Sequence, residues 1–174
     1  LWEEWEAIRR RSWRGVRSGY TAGGKASEKM IQTIRESGYL SHRELASFVQ
    51  EALESEPLDG KRVLFIIPDA TRSMPMPAVF RALFDTLHGR VAKIDYLIAL
   101  GTHPAMMEDA INKMLGITAA ERVGVYRDIG IFNHDWKNPA MLAHIGDLTK
   151  DQLADISGGL LRVTGPVSIN KRVL

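Results

Sequence analysis

The sequence predicts an α/β fold: a Rossmann-like, mostly parallel sheet with flanking helices, preceded by a helical appendage at the N-terminus. Two observations carry this. Residues 62–67 (Arg-Val-Leu-Phe-Ile-Ile) and 93–100 (Lys-Ile-Asp-Tyr-Leu-Ile-Ala-Leu) are apolar runs of strand length, rich in β-branched and aromatic side chains. Between them Val79, Phe80, Leu83, Phe84 and Leu87 recur at the spacing of one helical face. A strand, a helix and a strand of these lengths form a right-handed βαβ unit with parallel strands. Both strand C-termini then lie on one edge of the sheet, the edge where open α/β sheets bind ligands.

A length of 174 residues suits one domain with a sizeable core. An apolar fraction of 45% and a charged fraction of 25% are those of an ordinary globular protein. The net charge of +2 argues against nucleic acid or an anionic membrane as partner. No cysteine is present, so disulfides and thiolate metal sites are excluded, and only His, Asp and Glu remain as metal ligands. No apolar run approaches the ~20 residues of a membrane span, and no signal peptide is visible. The cytoplasm is the expected location by elimination. The chain opens on Leu1 rather than Met, as expected of a processed or partial product.

In chain order, residues 1–17 combine Trp2, Trp5, Ile8 and Trp13 with five arginines. The spacing suits a surface helix whose tryptophans dock on the body and whose arginines are solvated. Residues 19–26 imitate a phosphate-cradling loop, but no buried strand precedes them and Ala26 stands where a hydroxyl is needed. A glycine-rich linker is the better reading. Ser27 caps a helix that stops at Gly38, and Ser41 with Glu44 opens another with Leu45, Phe48, Val49, Ala52 and Leu53 as its apolar stripe. Residues 1–57 therefore read as the helical appendage and residues 58–174 as the α/β domain. Pro75 and Pro77 suit the first turn of the central helix. A further helix over residues 107–115 ends at Gly116, and Thr118 with Glu121 caps a short turn. Residues 123–126, 141–145, 160–163 and 167–174 are expected as strands, with a turn at residues 164–166.

The polar strand tips hold the chemistry. After the first strand come Asp69, Thr71 and Arg72; after the second, Gly101, Thr102 and His103. Arg72 offers a planar fork for a carboxylate, against the plainer role of pairing with Asp69. Asp69 is placed to orient Arg72, to fix the tautomer of His103, or merely to cap its own turn. Thr71 has a hydroxyl for a ligand or for bracing the loop. A histidine, with an ordinary pKa of about 6.5, suits proton transfer near neutrality, against the alternative of a plain surface loop residue at His103. His134, in Asn133-His134-Asp135, reads as a supporting or structural residue. His88 suits a helix C-cap, His42 an exposed first helical position and His144 a satisfied core position.

The segments at residues 68–77 (PDATRSMPMP) and 99–106 (ALGTHPAM), with Asn133-His134-Asp135 further on, resemble the nickel-dependent lactate racemase family, over about residues 58–174. Its N-terminal domain carries D-x-T-R-P-x-P and A-T-G-T-H-R strand tips. Ser73, Leu100 and Pro104 depart from those patterns. The resemblance implies racemisation or epimerisation of a lactate-like 2-hydroxy acid by proton and hydride transfer with a nickel-pincer nucleotide. It implies that Arg72 and Thr71 bind substrate, that His103 is an acid/base, and that Asp69 supports them. It also implies that the lysine tethering the cofactor, the nickel-ligating histidine and the second acid/base histidine lie beyond Leu174, in a further part of the same protein, so that this chain supplies part of an active site. The alternative is a non-catalytic domain using Arg72 to bind an anion or small molecule.

Overall fold

The computed structural model describes residues 40–174, all within one compact unit. The expectations for the basic aromatic stretch, the glycine-lysine loop and the helix after Ser27 lie outside the described residues. Helix α1 (His42–Glu54) opens with the expected capping box. Ser41 Oγ accepts from the Glu44 N–H at 3.3 Å, and the Glu44 carboxylate accepts from the Ser41 N–H at 2.8 Å. Together they satisfy two amides that the helix itself cannot. Val49 and Leu53 on the inner stripe pack on the core, while His42 is exposed as expected.

Strands β1 (Arg62–Pro68), β2 (Lys93–Ala99) and β3 (Gly130–Asn133) form a parallel sheet in the order β1-β2-β3. β1 and β2 pair from Arg62↔Lys93 to Pro68↔Ala99, and β3 adds from Asp95↔Gly130 to Ile98↔Asn133. Helix α2 (Met76–Leu87) crosses over between the first two strands, with Pro75 at its N-cap and Pro77 in its first turn. It buries Phe80, Leu83, Phe84 and Leu87 against Ile67, Ile94, Tyr96 and Ile98. Each such side chain contributes about 1.5–3 kcal/mol on removal from water. Tyr96 is the hub: Phe65 stacks on it at 5.4 Å and Phe80 tilts against it at 5.2 Å. His88 is the C-cap residue of α2 and stacks on Phe84.

Helix α3 (Glu108–Leu115) ends at Gly116, whose φ of 65° is left-handed. A Cβ there would sit 2.7 Å from Pro77 Cβ, so glycine is required by conformation and by the close approach of the two helices. Thr118 and Glu121 cap helix α4 (Ala119–Val123). The strand expected at residues 123–126 does not form. Val123 ends α4, and it and Val125 are 76% and 60% exposed, so only Tyr126 turns inward, edge-on to Phe80 and Phe84. The third strand is β3 instead.

Strands β4 (Leu142–Leu148) and β5 (Gly165–Asn170) make a separate antiparallel ribbon, with helix α5 (Lys150–Ile156) between them. The last strand thus stops at Asn170, before a 3₁₀ turn over Lys171–Val173. Residues 160–163 form no strand and are exposed. The α5 capping box, Thr149 with Gln152, is a sequence signal of the kind used for α1 and α4. His144 is no core residue: it is exposed and pairs with Asp147 at 3.2 Å across a bulge in the ribbon. Among the described residues no helix is long and apolar enough to cross a membrane.

Tyr96 is fully buried, yet its hydroxyl meets no hydrogen-bond partner among the described residues. Burying an unsatisfied hydroxyl is unfavourable. Tyr96→Phe keeps the ring stack, so denaturant unfolding should show a variant about 1 kcal/mol more stable. A loss of similar size would reveal a partner for that hydroxyl.

Candidate functional site

The register of β1 on β2 decides where the polar tips meet. Because Pro68 lies opposite Ala99, the two chains leave the sheet level with each other. Asp69 is only 6% exposed, at the base of the first tip. Its Oδ1 accepts from the Thr71 N–H at 3.1 Å and from the Thr71 hydroxyl. Its Oδ2 faces Nδ1 of His103 in a short contact. The Thr71 hydroxyl, then His103, then the Thr71 amide hold the Asp69 carboxyl down to about 2, against the opposing effect of burial. An ionised carboxylate only accepts, so Nδ1 of His103 must carry a proton. Nε2 then carries the free lone pair of the neutral ring, which is half exposed.

Asp69 therefore settles on His103 rather than Arg72. The Arg72 backbone N–H closes the turn on the Asp69 carbonyl at 3.3 Å. Its guanidinium has no ion-pair partner among the described residues, and it lines an open cleft of about 320 Å³ with Asp69, Gly101, Thr102 and His103. Gly101, with φ 59°, makes the left-handed turn in which the His103 N–H bonds the Leu100 carbonyl at 3.0 Å. Thr71 spends its hydroxyl on Asp69, which is the bracing alternative. The four candidate site residues are thus together, as a cationic fork and a free imidazole nitrogen around a buried carboxylate.

His134 follows β3 on the same edge but does not line this cleft. Its Nδ1 lies 3.2 Å from Nδ2 of Asn170, which is almost wholly buried. Asn170 Oδ1 accepts from the Arg172 N–H at 3.0 Å, and that fixes which way the amide points. Nδ2 then donates to the histidine, so the proton of neutral His134 sits on Nε2. This pair ties the third strand tip to the ribbon. Sequence reasoning passed over Asn170 and Asn133, because an asparagine's role depends on backbone groups that only the fold brings near.

Among the described residues no group of three or more His, Asp or Glu side chains could hold a metal ion. His103 and His134 each commit Nδ1 to a protein partner. With no such group among the described residues, none of them is assigned as the holder of a nickel cofactor.

The family of the lactate racemase N-terminal domain matches residues 22–171. The chain belongs to that family. The match to this racemase domain takes in α1, within the segment that the sequence set apart as an appendage. A crystal structure of a Thermotoga maritima protein, a structural genomics target, is similar at 27% identity with a TM-score of 0.65. The alignment covers 77% of this chain and 31% of that one, so the chain spans about a third of that protein's length. No curated protein matches the chain.

The depressed Asp69 has a consequence in acid. Its folded value of about 2 lies below the ordinary 3.8, so its contribution to stability is complete above pH 3.8 and is lost as pH falls towards 2. Urea midpoints measured across that interval should fall less steeply for Asp69→Asn than for the natural chain. Parallel curves would mean that Asp69 is not held ionised by folding.

Proposed function

We propose that this chain supplies the carboxylate-binding and proton-transfer part of a racemase or epimerase acting on a lactate-like 2-hydroxy acid. The observation that carries the reading is the cleft itself: an Arg72 guanidinium with no ion-pair partner among the described residues, beside a His103 whose Nδ1 is held by an ionised Asp69. A 2-hydroxy acid presents a carboxylate with a hydroxyl one carbon away. Arg72 binds the carboxylate through its fork. His103 Nε2 takes the hydroxyl proton and returns it, and Asp69 stabilises the imidazolium that forms in between. Membership of the racemase family supports a lactate-like 2-hydroxy acid as the substrate class.

These residues do no more than bind and move that proton. An α-hydrogen leaving as hydride needs an electron acceptor, and no side chain is one. We assign that role to the nickel-pincer nucleotide implied by the resemblance, held by residues other than those described. The activity of the whole protein, in which a further part of the polypeptide completes the site, rests on the same proposal.

The first test is binding. Lactate titrated into isotopically labelled chain should shift the side-chain signals of Arg72 and His103. Arg72→Lys keeps the charge but loses the fork, so affinity should fall about tenfold, or 1.4 kcal/mol. Equal affinity in a folded variant would remove Arg72 from the site. A second expectation concerns turnover. The purified chain, given either enantiomer of lactate without cofactor, should neither change its optical rotation nor exchange α-deuterium. Scrambling by the isolated chain would require different chemistry in these residues.

A further inference from the structure

We propose that Asn133 is a positioning residue for His103, acting through the backbone of Met106. This rests on the reading of His103 as the acid/base group. The segment carrying His103 leaves the sheet at Leu100, which is buried, and returns at Met106, which packs on the core. Residues 101–105 between these anchors are exposed. At the near end the segment is closed by the turn bond from the His103 N–H to the Leu100 carbonyl. At the far end Met106 lies outside every strand and two residues before α3. No sheet ladder reaches it.

Asn133 takes the place of that ladder. Its Oδ1 accepts from the Met106 N–H at 3.0 Å, and its Nδ2 donates to the Met106 carbonyl at 3.0 Å. One carboxamide thus satisfies both backbone groups of a loop residue, as a neighbouring strand would. The amide is rigidly carried. Asn133 is the last residue of β3, opposite Ile98, and the next N–H, of His134, bonds the Ile98 carbonyl at 3.0 Å. The other side chains of similar size fit less well. Aspartate keeps the acceptor but turns a second oxygen towards the Met106 carbonyl, and leucine leaves both groups unpaired. Without this clamp the far end is held only by the packing of the Met106 side chain, and the His103–Asp69 contact must then order more of the loop.

The test uses the whole chain without ligand, so failure to bind lactate, which would sink the proposed function, does not affect it. By hydrogen exchange, the Met106 amide should be protected at least about tenfold more than those of Thr102 and Ala105. Equal exchange would overturn the proposal. In Asn133→Ala with sheet amide signals unchanged, the His103 Nδ1 proton resonance should broaden or vanish. Long-range nitrogen–proton spectra should then show its two tautomers mixing. Asn133→Asp, which keeps one bond, should fall between that variant and the natural chain. An undisturbed His103 signature in folded Asn133→Ala would also overturn it. Should neither variant fold, the exchange of Met106 in the natural chain decides the matter.

Discussion

The parallel pairing of β1 with β2 is the constraint on which the rest of the molecule depends. It runs in register from Arg62↔Lys93 to Pro68↔Ala99. The side-chain period of a strand is two, so a slip of one residue would turn Tyr96 and Ile98 away from α2 and bring Asp95 and Leu97 to the core face. The same register sets the height of the strand tips. Asp69 and His103 are 34 residues apart in sequence and meet only because their strands end level. The packing of the core and the meeting of Asp69 with His103 are therefore decided by one alignment, sealed by the aromatic stack on Tyr96.

A buried carboxylate at the end of a strand would ordinarily favour its neutral form. Asp69 remains ionised because Thr71, two residues on, supplies a hydroxyl and an amide, and His103 supplies the third contact. The consequence is directional. The imidazole is held by one nitrogen and leaves the other towards the cleft, which is the arrangement the proposed proton transfer requires. Arg72 in the same turn takes the opposite course, its guanidinium meeting no ion-pair partner among the described residues.

Arginine also organises the far end of the sheet. Arg90, in the turn before β2, donates to the carbonyls of Leu53 at 2.9 Å and Glu56 at 2.7 Å and pairs with Asp59. It thereby ties the link after α1 to the turn after α2. A guanidinium with five donors suits such a junction, where each carbonyl already accepts a backbone N–H and has a second lone pair to offer, and where a lysine would reach fewer of them. The two ends of the sheet thus use the same residue type differently: among the described residues the Arg72 fork meets no ion-pair partner, and the Arg90 fork is filled.

By itself the sequence determined the elements whose signals are local. The apolar runs of β1 and β2, the stripe of α2, the capping pairs Ser41–Glu44 and Thr118–Glu121 and the glycine stop at Gly116 all act within a few residues. That Asp69, Thr71, Arg72 and His103 come together was legible because a βαβ unit sends both polar tips to one edge. The strand expected at residues 123–126 failed because exposed valines there carry the composition of a strand without its neighbours, and α5 was missed although Thr149 and Gln152 spell out its cap. His144 was misread because an apolar run does not say whether anything covers it. Tertiary structure alone decided that Asp69 pairs with His103 and not with Arg72, that Asn170 sets the tautomer of His134, and that Asn133 meets Met106. Those choices depend on which backbone and side-chain groups remain unsatisfied once the sheet is assembled, and no window of sequence contains both partners.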